Sequence, residues 1–304
     1  MLIFCNKCGQ LGNRLFAFAH LIANAATNDY LVINLSFDEY ARFFETTGND
    51  LFCRYPARRS WVVSDSLRSA LFVFNKVIFK LLRITNFHRS YLHHLEVADL
   101  PEYKFREEKF FDMNNSKFVD EATRKAIFVF GRFFRDYSNM ERQQSLIREY
   151  FRPNIEIRRH IDSCYKRIKK TADIVVGVHI RKGDYKEFSD GKYFYPDEVY
   201  FQVMSQLVKE RRDKKVTFAI CSNEAINVKN FYPLNVFLGP GHFVEDIFFL
   251  AECDYILGPP STFTQWASFY GNKPLYQLKD VTDNVDFDKF ILLPPSKLYN
   301  FSFN

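Results

Sequence analysis

The stretch Ile174-Val175-Val176-Gly177-Val178-His179-Ile180-Arg181-Lys182-Gly183-Asp184-Tyr185 carries two signals in immediate succession. Its first part is apolar and β-branched, the composition of a strand buried on both faces of a parallel sheet. Its second part places one His, one Arg, one Lys, one Gly and one Asp between positions 179 and 184. In open α/β sheets, ligands bind beyond the carboxyl ends of strands, so a polar cluster there meets a ligand without entering the core. Arg181 offers a planar fork of donors suited to phosphate, and Gly183 permits a sharp turn. The residues alone leave two readings open: an anion site, or a strand that ends in a solvated basic turn.

On the carboxyl side of this stretch, strands and helices alternate. Helices are expected over 196–212, 224–231, 244–253 and 263–270, and strands over 216–221, 235–238, 255–257 and 273–278. Such alternation implies right-handed βαβ crossovers and a parallel, doubly wound sheet. On the amino side, a strand over 1–5 leads through Cys8-Gly9-Gln10-Leu11-Gly12-Asn13-Arg14 into an Ala- and Leu-rich helix. Strands over 30–35 and 125–130 and helices over 140–150 and 155–170 follow. The first strand, two-glycine loop and helix resemble the opening unit of a nucleotide-binding sheet, without the third glycine of the dinucleotide fingerprint. These glycines either let backbone N–H groups face an anion or serve the turn alone. Two domains are expected, 1–155 and 156–304.

Residues 36–113 are irregular, with aromatic and basic residues mixed. Within them, 67–84 reads as a helix whose four charges argue against a membrane span. At about 100° per residue, Arg68, Lys76, Lys80 and Arg83 fall within an arc of roughly 120°. The preferred reading is a buried helix with one wet edge; the alternative is a basic amphipathic helix lying on a membrane.

Composition narrows the function classes. The 304 residues are 47% hydrophobic and 26% charged, which excludes a disordered chain. With 35 Phe and 17 Tyr the core should be heavily aromatic. A net charge of +6 suits an anionic ligand or a membrane surface. No helix-turn-helix, zinc-finger or RNA-recognition signature accompanies it, so nucleic acid is not expected. The six cysteines are dispersed and read as reduced core thiols of a cytoplasmic protein. Cys5 and Cys8 lack the second pair of a zinc site, leaving a redox pair as the alternative. The N-terminus shows no signal-peptide pattern. No Walker A or HExxH motif is present, and no metal is expected.

Three loops leave strands toward a ligand cleft: 9–14, 179–185 and 258–262. Ser261 and Thr262 precede a helix, where a hydroxyl either caps it or meets a phosphate. Asp246 sits in a first helical turn, where the dipole favours an acid; its carboxylate also suits the two N–H groups on the edge of a guanine.

Taken together, Gly9-Gln10-Leu11-Gly12-Asn13-Arg14, His179-Ile180-Arg181-Lys182-Gly183-Asp184-Tyr185, Asp246 to Asp254 and Ser261-Thr262-Phe263-Thr264-Gln265-Trp266 resemble the α-1,2-fucosyltransferases and the wider α-1,2/α-1,6/protein-O-fucosyltransferase superfamily. The resemblance implies a GT-B fold, two Rossmann-like doubly wound domains facing a cleft. It further implies GDP-fucose as donor, inversion at the anomeric carbon, no cofactor or metal, and transfer to a glycan hydroxyl such as O-2 of a galactoside. By the same resemblance Arg181 binds the diphosphate, and His179 and Asp246 address the guanine. Ser261 and Thr262 bind phosphate oxygens, Asn13 lies near the leaving group or acceptor, and Gly12 and Arg14 bind substrate. Asp184 is a candidate base, alongside Glu187, or else a partner of Arg181. The sequence departs from the family pattern at Gln10, Lys182, Pro259-Pro260 and Gln265, which bears on linkage more than on donor. A GT-B enzyme with another nucleotide sugar and a non-catalytic glycan- or nucleotide-binding relative are the alternatives. The acceptor is expected to be an oligosaccharide or glycolipid and the protein cytoplasmic; peripheral contact at the inner face of a membrane is the alternative that goes with the amphipathic reading of 67–84.

Overall fold

The computed structural model describes residues 1–85, 92–96, 110–131, 133–282 and 284–298. The chain divides into two compact units, Met1–Ile155 and Glu156–Phe301.

The first unit contains β1 (Leu2–Phe4), β2 (Val32–Asn34), β3 (Arg54–Tyr55), β4 (Leu92–Glu96), β5 (Phe111–Asp112), β6 (Ala126–Phe130) and β7 (Phe134–Arg135). Its main sheet runs β3-β2-β1-β6-β4. Every pairing is parallel except that of the edge strand β3, which runs antiparallel to β2. Strands β5 and β7 form a separate parallel pair. The Leu11–Asn28 helix buries nearly its whole circumference up to Ala25, as its small and apolar residues allow. Phe18 meets Phe37, Tyr150 and Phe151 edge-on, at ring separations of 5.4 to 5.6 Å. That geometry is the one aromatic quadrupoles favour.

The second unit is a fully parallel sheet of β8 (Ile174–Ile180), β9 (Val216–Ser222), β10 (Val236–Leu238), β11 (Tyr255–Gly258) and β12 (Leu275–Gln277), in the order β10-β9-β8-β11-β12. β8 is central and buried from Val175 onward, which is why its sequence is continuously apolar. Its register places His179 beside Cys221 and Ile180 beside Ser222, and Val178 beside Leu257. Strand ends β8, β9 and β11 therefore open at one edge of the sheet. The Asp197–Glu210 helix carries Asp197 and Glu198 in its first turn and Lys209 in its last, matching the macrodipole. The Thr262–Gly271 helix is capped by Ser261 and closed by left-handed Asn272.

The structure departs from the sequence expectation in four places. A helix was expected over 224–231, and only a short 3-10 turn, Val228–Phe231, forms. The single helix expected over 140–150 is two, Tyr137–Arg142 and Gln144–Tyr150, interrupted at Gln143. The irregular 36–113 segment holds β3 and β4, the first too short for a period and the second interrupted by His93 and His94. Parts of that segment, 86–91 and 97–109, lie outside the described residues.

The fourth departure concerns the Asp65–Ile84 helix. It buries a narrow face of Arg68, Phe72, Asn75, Phe79 and Leu82, not a broad apolar one. Phe79 and Leu82 pack with Cys5 and Phe128. Arg68, assigned from sequence to the wet edge, is buried. Its Nη2 donates to the carbonyl oxygens of Thr47 (2.7 Å), Gly48 (3.0 Å) and Asp50 (3.2 Å), and Nη1 pairs with Asp65 at 3.0 Å. A guanidinium satisfied in this way tolerates burial. Among the described residues, no helix is long and apolar enough to cross a membrane.

Candidate functional site

A pocket of about 300 Å³ opens where the β8, β9 and β10 ends meet, lined by His179, Arg181, Ser222, Asn223, Gly241, Phe243, Asp246 and Phe263. It lies wholly within the second unit, at the sheet edge where open α/β folds bind ligands. Its volume falls at the lower end of the range of about 300–1,000 Å³ for small-molecule sites. Three sequence-predicted residues, His179, Arg181 and Asp246, are brought together in it.

Arg181 leaves the end of β8 and is held by Asp184 through a two-pronged pair, Nε to Oδ1 at 2.9 Å and Nη2 to Oδ2 at 2.8 Å. The pairing fixes the plane of the guanidinium. It also occupies both oxygens of Asp184, the group considered as a base. The loop behind Arg181 is tied to β9 by Asn223, whose Oδ1 accepts from the Lys182 N–H at 2.8 Å and whose Nδ2 donates to the Lys182 carbonyl at 3.3 Å. Lys182 itself pairs with Asp197 at 2.7 Å.

His179 is buried and stacks on Phe263, with centroids 4.6 Å apart and planes 25° apart. Burial and the neighbouring Arg181 push its imidazole down to about 3, so the ring is neutral near pH 7. Its Nδ1 has no hydrogen-bond partner within the protein.

Asp246 stands in the first turn of the Phe243–Glu252 helix and is buried. Its Oδ1 accepts from the Gly241 N–H at 2.9 Å. Burial pushes its carboxyl up to about 6, against the opposing effect of the Gly241 N–H. Gly239 makes this approach possible: a Cβ there would meet Cys221 Sγ at 2.5 Å and Asp246 Oδ1 at 3.2 Å.

Ser261 and Thr262 share the first helical turn with Phe263 but do not line the pocket. Ser261 Oγ accepts from the Phe263 N–H at 3.0 Å, so it caps the helix. Tyr185 Oη donates to the Pro260 carbonyl at 2.9 Å and so joins this turn to the Arg181 loop.

Gly12, Asn13 and Arg14 belong to the first unit, at the start of the Leu11–Asn28 helix. Gly9 adopts a left-handed φ of +60°, and a Cβ on it would meet Asn13 Nδ2 at 2.1 Å. The Asn13 side chain thus folds over a position only glycine fills. Arg14 is engaged by the carbonyls of Gly9 (3.1 Å) and Ser36 (3.2 Å) and by Glu39 at 3.0 Å. Cys5 and Cys8 are both buried. Burial pushes the Cys5 thiol up to about 12, opposite to the direction a reactive redox thiol needs.

Sequence reading missed Ser222, Asn223, Gly241, Phe243 and Phe263. The signal was present for the first two. They stand at the carboxyl end of β9, as His179 and Arg181 stand at that of β8, yet no motif marked them. Phe263 follows Ser261 and Thr262 in the sequence, and as an apolar residue at a helix start it carries no mark of a site.

Two Rossmann-like units, with a basic and aromatic pocket at the strand ends of the second, make up the GT-B class of glycosyltransferase folds. Solved structures agree. FUT1 of Arabidopsis thaliana, as an Arg-to-Lys mutant in complex with GDP, is 12% identical, with 92% of this chain and 71% of that one covered and a TM-score of 0.56. The fucosyltransferase NodZ from Bradyrhizobium is 16% identical, covers 91% and 94%, and gives 0.52. NodZ α-1,6-fucosyltransferase soaked with GDP-fucose is 15% identical, covers 95% and 96%, and gives 0.51. At such identities the likeness is one of fold. No curated protein sequence matches the chain. The family model described as glycosyl transferase family 11 matches residues 76–289, and the chain belongs to that family.

Proposed function

We propose that this protein transfers L-fucose from GDP-fucose to a glycan hydroxyl, O-2 of a galactoside, with inversion at the anomeric carbon and without a metal ion. The observation that carries the reading is the convergence of Arg181, His179, Asp246 and Phe263 on one pocket at the β8 edge. A buried carboxylate matches the paired N–H groups of a guanine, Phe263 and Phe243 supply apolar walls for the base, and an oriented guanidinium matches a diphosphate. The solved structures with GDP or GDP-fucose support the same donor, and the motif set resembling α-1,2-fucosyltransferases supports the linkage.

In the reaction, the bond from the anomeric carbon to the diphosphate oxygen breaks, and a bond to the acceptor oxygen forms on the opposite face. The acceptor's proton passes to a base or to solvent. Negative charge grows on the diphosphate as it leaves, so Arg181 interacts more strongly with the transition state than with the bound donor. Asp184 keeps Arg181 in place, and this positioning role replaces that of base. Ser261, Thr262 and the N-terminus of their helix add donors for phosphate oxygens. Gly12, Asn13 and Arg14 of the first unit serve the acceptor, which is an oligosaccharide or glycolipid.

The test is incubation of GDP-fucose with a panel of galactosides, glucosaminides and protein-linked glycans, with product linkage assigned by NMR. The proposal expects an α-linked fucose on O-2 of galactose; a 1,6-linked or peptide-linked product would overturn the linkage, and no product on any acceptor would overturn the activity.

A further inference from the structure

We infer that the helix Asp65–Ile84, with the loop before it, is a docking surface for an anionic lipid bilayer. The helix buries one narrow face, and its opposite side is exposed and apolar: Leu67, Val73, Phe74, Val77, Leu81 and Ile84 are all exposed. At about 100° per residue these six fall within a single arc of roughly 120°. Lys76, Lys80 and Arg83, exposed as well, occupy the adjoining arc of roughly 60°. An apolar stripe bordered by a basic stripe is the arrangement of a helix lying in the plane of a membrane, with the apolar side chains in the acyl boundary and the basic heads among phosphates.

The loop repeats the pattern. Arg58 and Arg59 are exposed, Trp61 is fully exposed and Val62 largely so. Trp is the residue enriched at the membrane–water interface. Between positions 56 and 85 the chain has one acid, Asp65, and that carboxylate is engaged by Arg68 at 3.0 Å and Arg42 at 3.7 Å. The charge around the apolar stripe is therefore complementary to an anionic headgroup layer. No part of this surface belongs to the β8 pocket, so the inference stands apart from the proposed reaction.

The chain has two tryptophans. Trp266 is buried in the second unit and Trp61 is exposed, so a change in Trp emission on adding vesicles reports Trp61. The experiment mixes the full-length protein with vesicles of phosphatidylglycerol and phosphatidylcholine in equal parts, or of phosphatidylcholine alone, at low and high salt. Co-sedimentation and Trp emission are read together. The anionic vesicles should pull the protein down and shift the emission to the blue, both effects weakening as salt rises; neutral vesicles should do neither. Lys76→Glu with Lys80→Glu should lower anionic-vesicle affinity by at least about tenfold. Both side chains are exposed, so the melting temperature should stay unchanged. Trp61→Phe should abolish the emission shift while leaving most of the sedimentation. The inference is overturned if the protein stays in the supernatant with unshifted emission at low salt. Undiminished binding by the double charge reversal overturns it too, as does a concentration-dependent dimer that Leu81→Asp dissociates in the absence of vesicle binding.

Discussion

Replacing Asp246 by Asn separates recognition of the donor base from upkeep of the fold. In the proposed complex one carboxylate oxygen serves the Gly241 N–H and the group as a whole serves the guanine edge. Asn keeps an oxygen for Gly241 and turns an NH₂ toward the base, so a donor faces a donor. The lost charge-assisted hydrogen bond is worth about 1.5–3 kcal/mol, and the unsatisfied group left behind costs about 1–3 kcal/mol more. GDP affinity should therefore fall by roughly 10²-fold or more. UDP, whose base lacks that paired edge, should bind weakly to both proteins and change little.

Stability should move the other way. Burial raises the Asp246 carboxyl to about 6 from a usual value near 4, a displacement of about 3 kcal/mol against the ionised form at neutral pH. Between about pH 4 and 6 the folded protein holds a proton that the unfolded chain has lost, so this contribution to stability is full below that window and is lost as pH rises through it. Asn carries no charge to bury. The ligand-free variant should match or exceed the wild type in melting temperature at pH 7.5, and the difference should shrink toward pH 4. GDP affinity of the wild type should itself fall below about pH 6 as the carboxylate takes up its proton. Isothermal titration with GDP and UDP, alongside thermal melts over pH 4 to 8, reads all of this. If the variant loses GDP and UDP equally and melts lower, Asp246 is a structural cap and the assignment is wrong.

Three further outcomes are expected. Arg181→Ala should reduce turnover at least about a hundredfold with little change in melting temperature, the scale of losing one preorganised electrostatic group; turnover within threefold of wild type refutes its role. Transfer should persist in excess EDTA, and a loss that magnesium or manganese restores refutes the metal-free mechanism. Arg68→Met removes a side-chain donor from the carbonyls of Thr47, Gly48 and Asp50 and should destabilise the first unit by about 1–3 kcal/mol in urea denaturation, while the GDP affinity of the second unit is unchanged.

The alternation of apolar runs and helical segments after position 174 was enough to read the doubly wound sheet, because a central parallel strand such as β8 must be apolar on both faces. The first unit was less legible. Its edge strand β3 has two residues and offers no period, and β4 interrupts its apolar pattern with His93 and His94. The Asp65–Ile84 helix was misread for a different reason. Its buried face includes Arg68 and Asn75, polar residues whose partners are main-chain groups elsewhere in the unit, such as the carbonyls of Thr47 and Phe4. Helical periodicity sees side-chain character, not the carbonyls waiting opposite. In the second unit, His179, Arg181 and Asp246 drew attention as charged or titratable groups at strand or helix ends. Phe243, Phe263 and Asn223 lack that mark; only the strand register and the packing of two helices bring them to the same pocket.

Donor competition tests the central claim most directly. The protein is given GDP-fucose, GDP-mannose, UDP-galactose and ADP-glucose in equal amounts with a galactoside acceptor, and the nucleotides released are separated and counted. The pocket reading predicts that GDP appears in proportion to fucosylated product, that GDP-mannose is spared, and that UDP and ADP stay at background. Release of UDP or ADP at a rate comparable to GDP would contradict it.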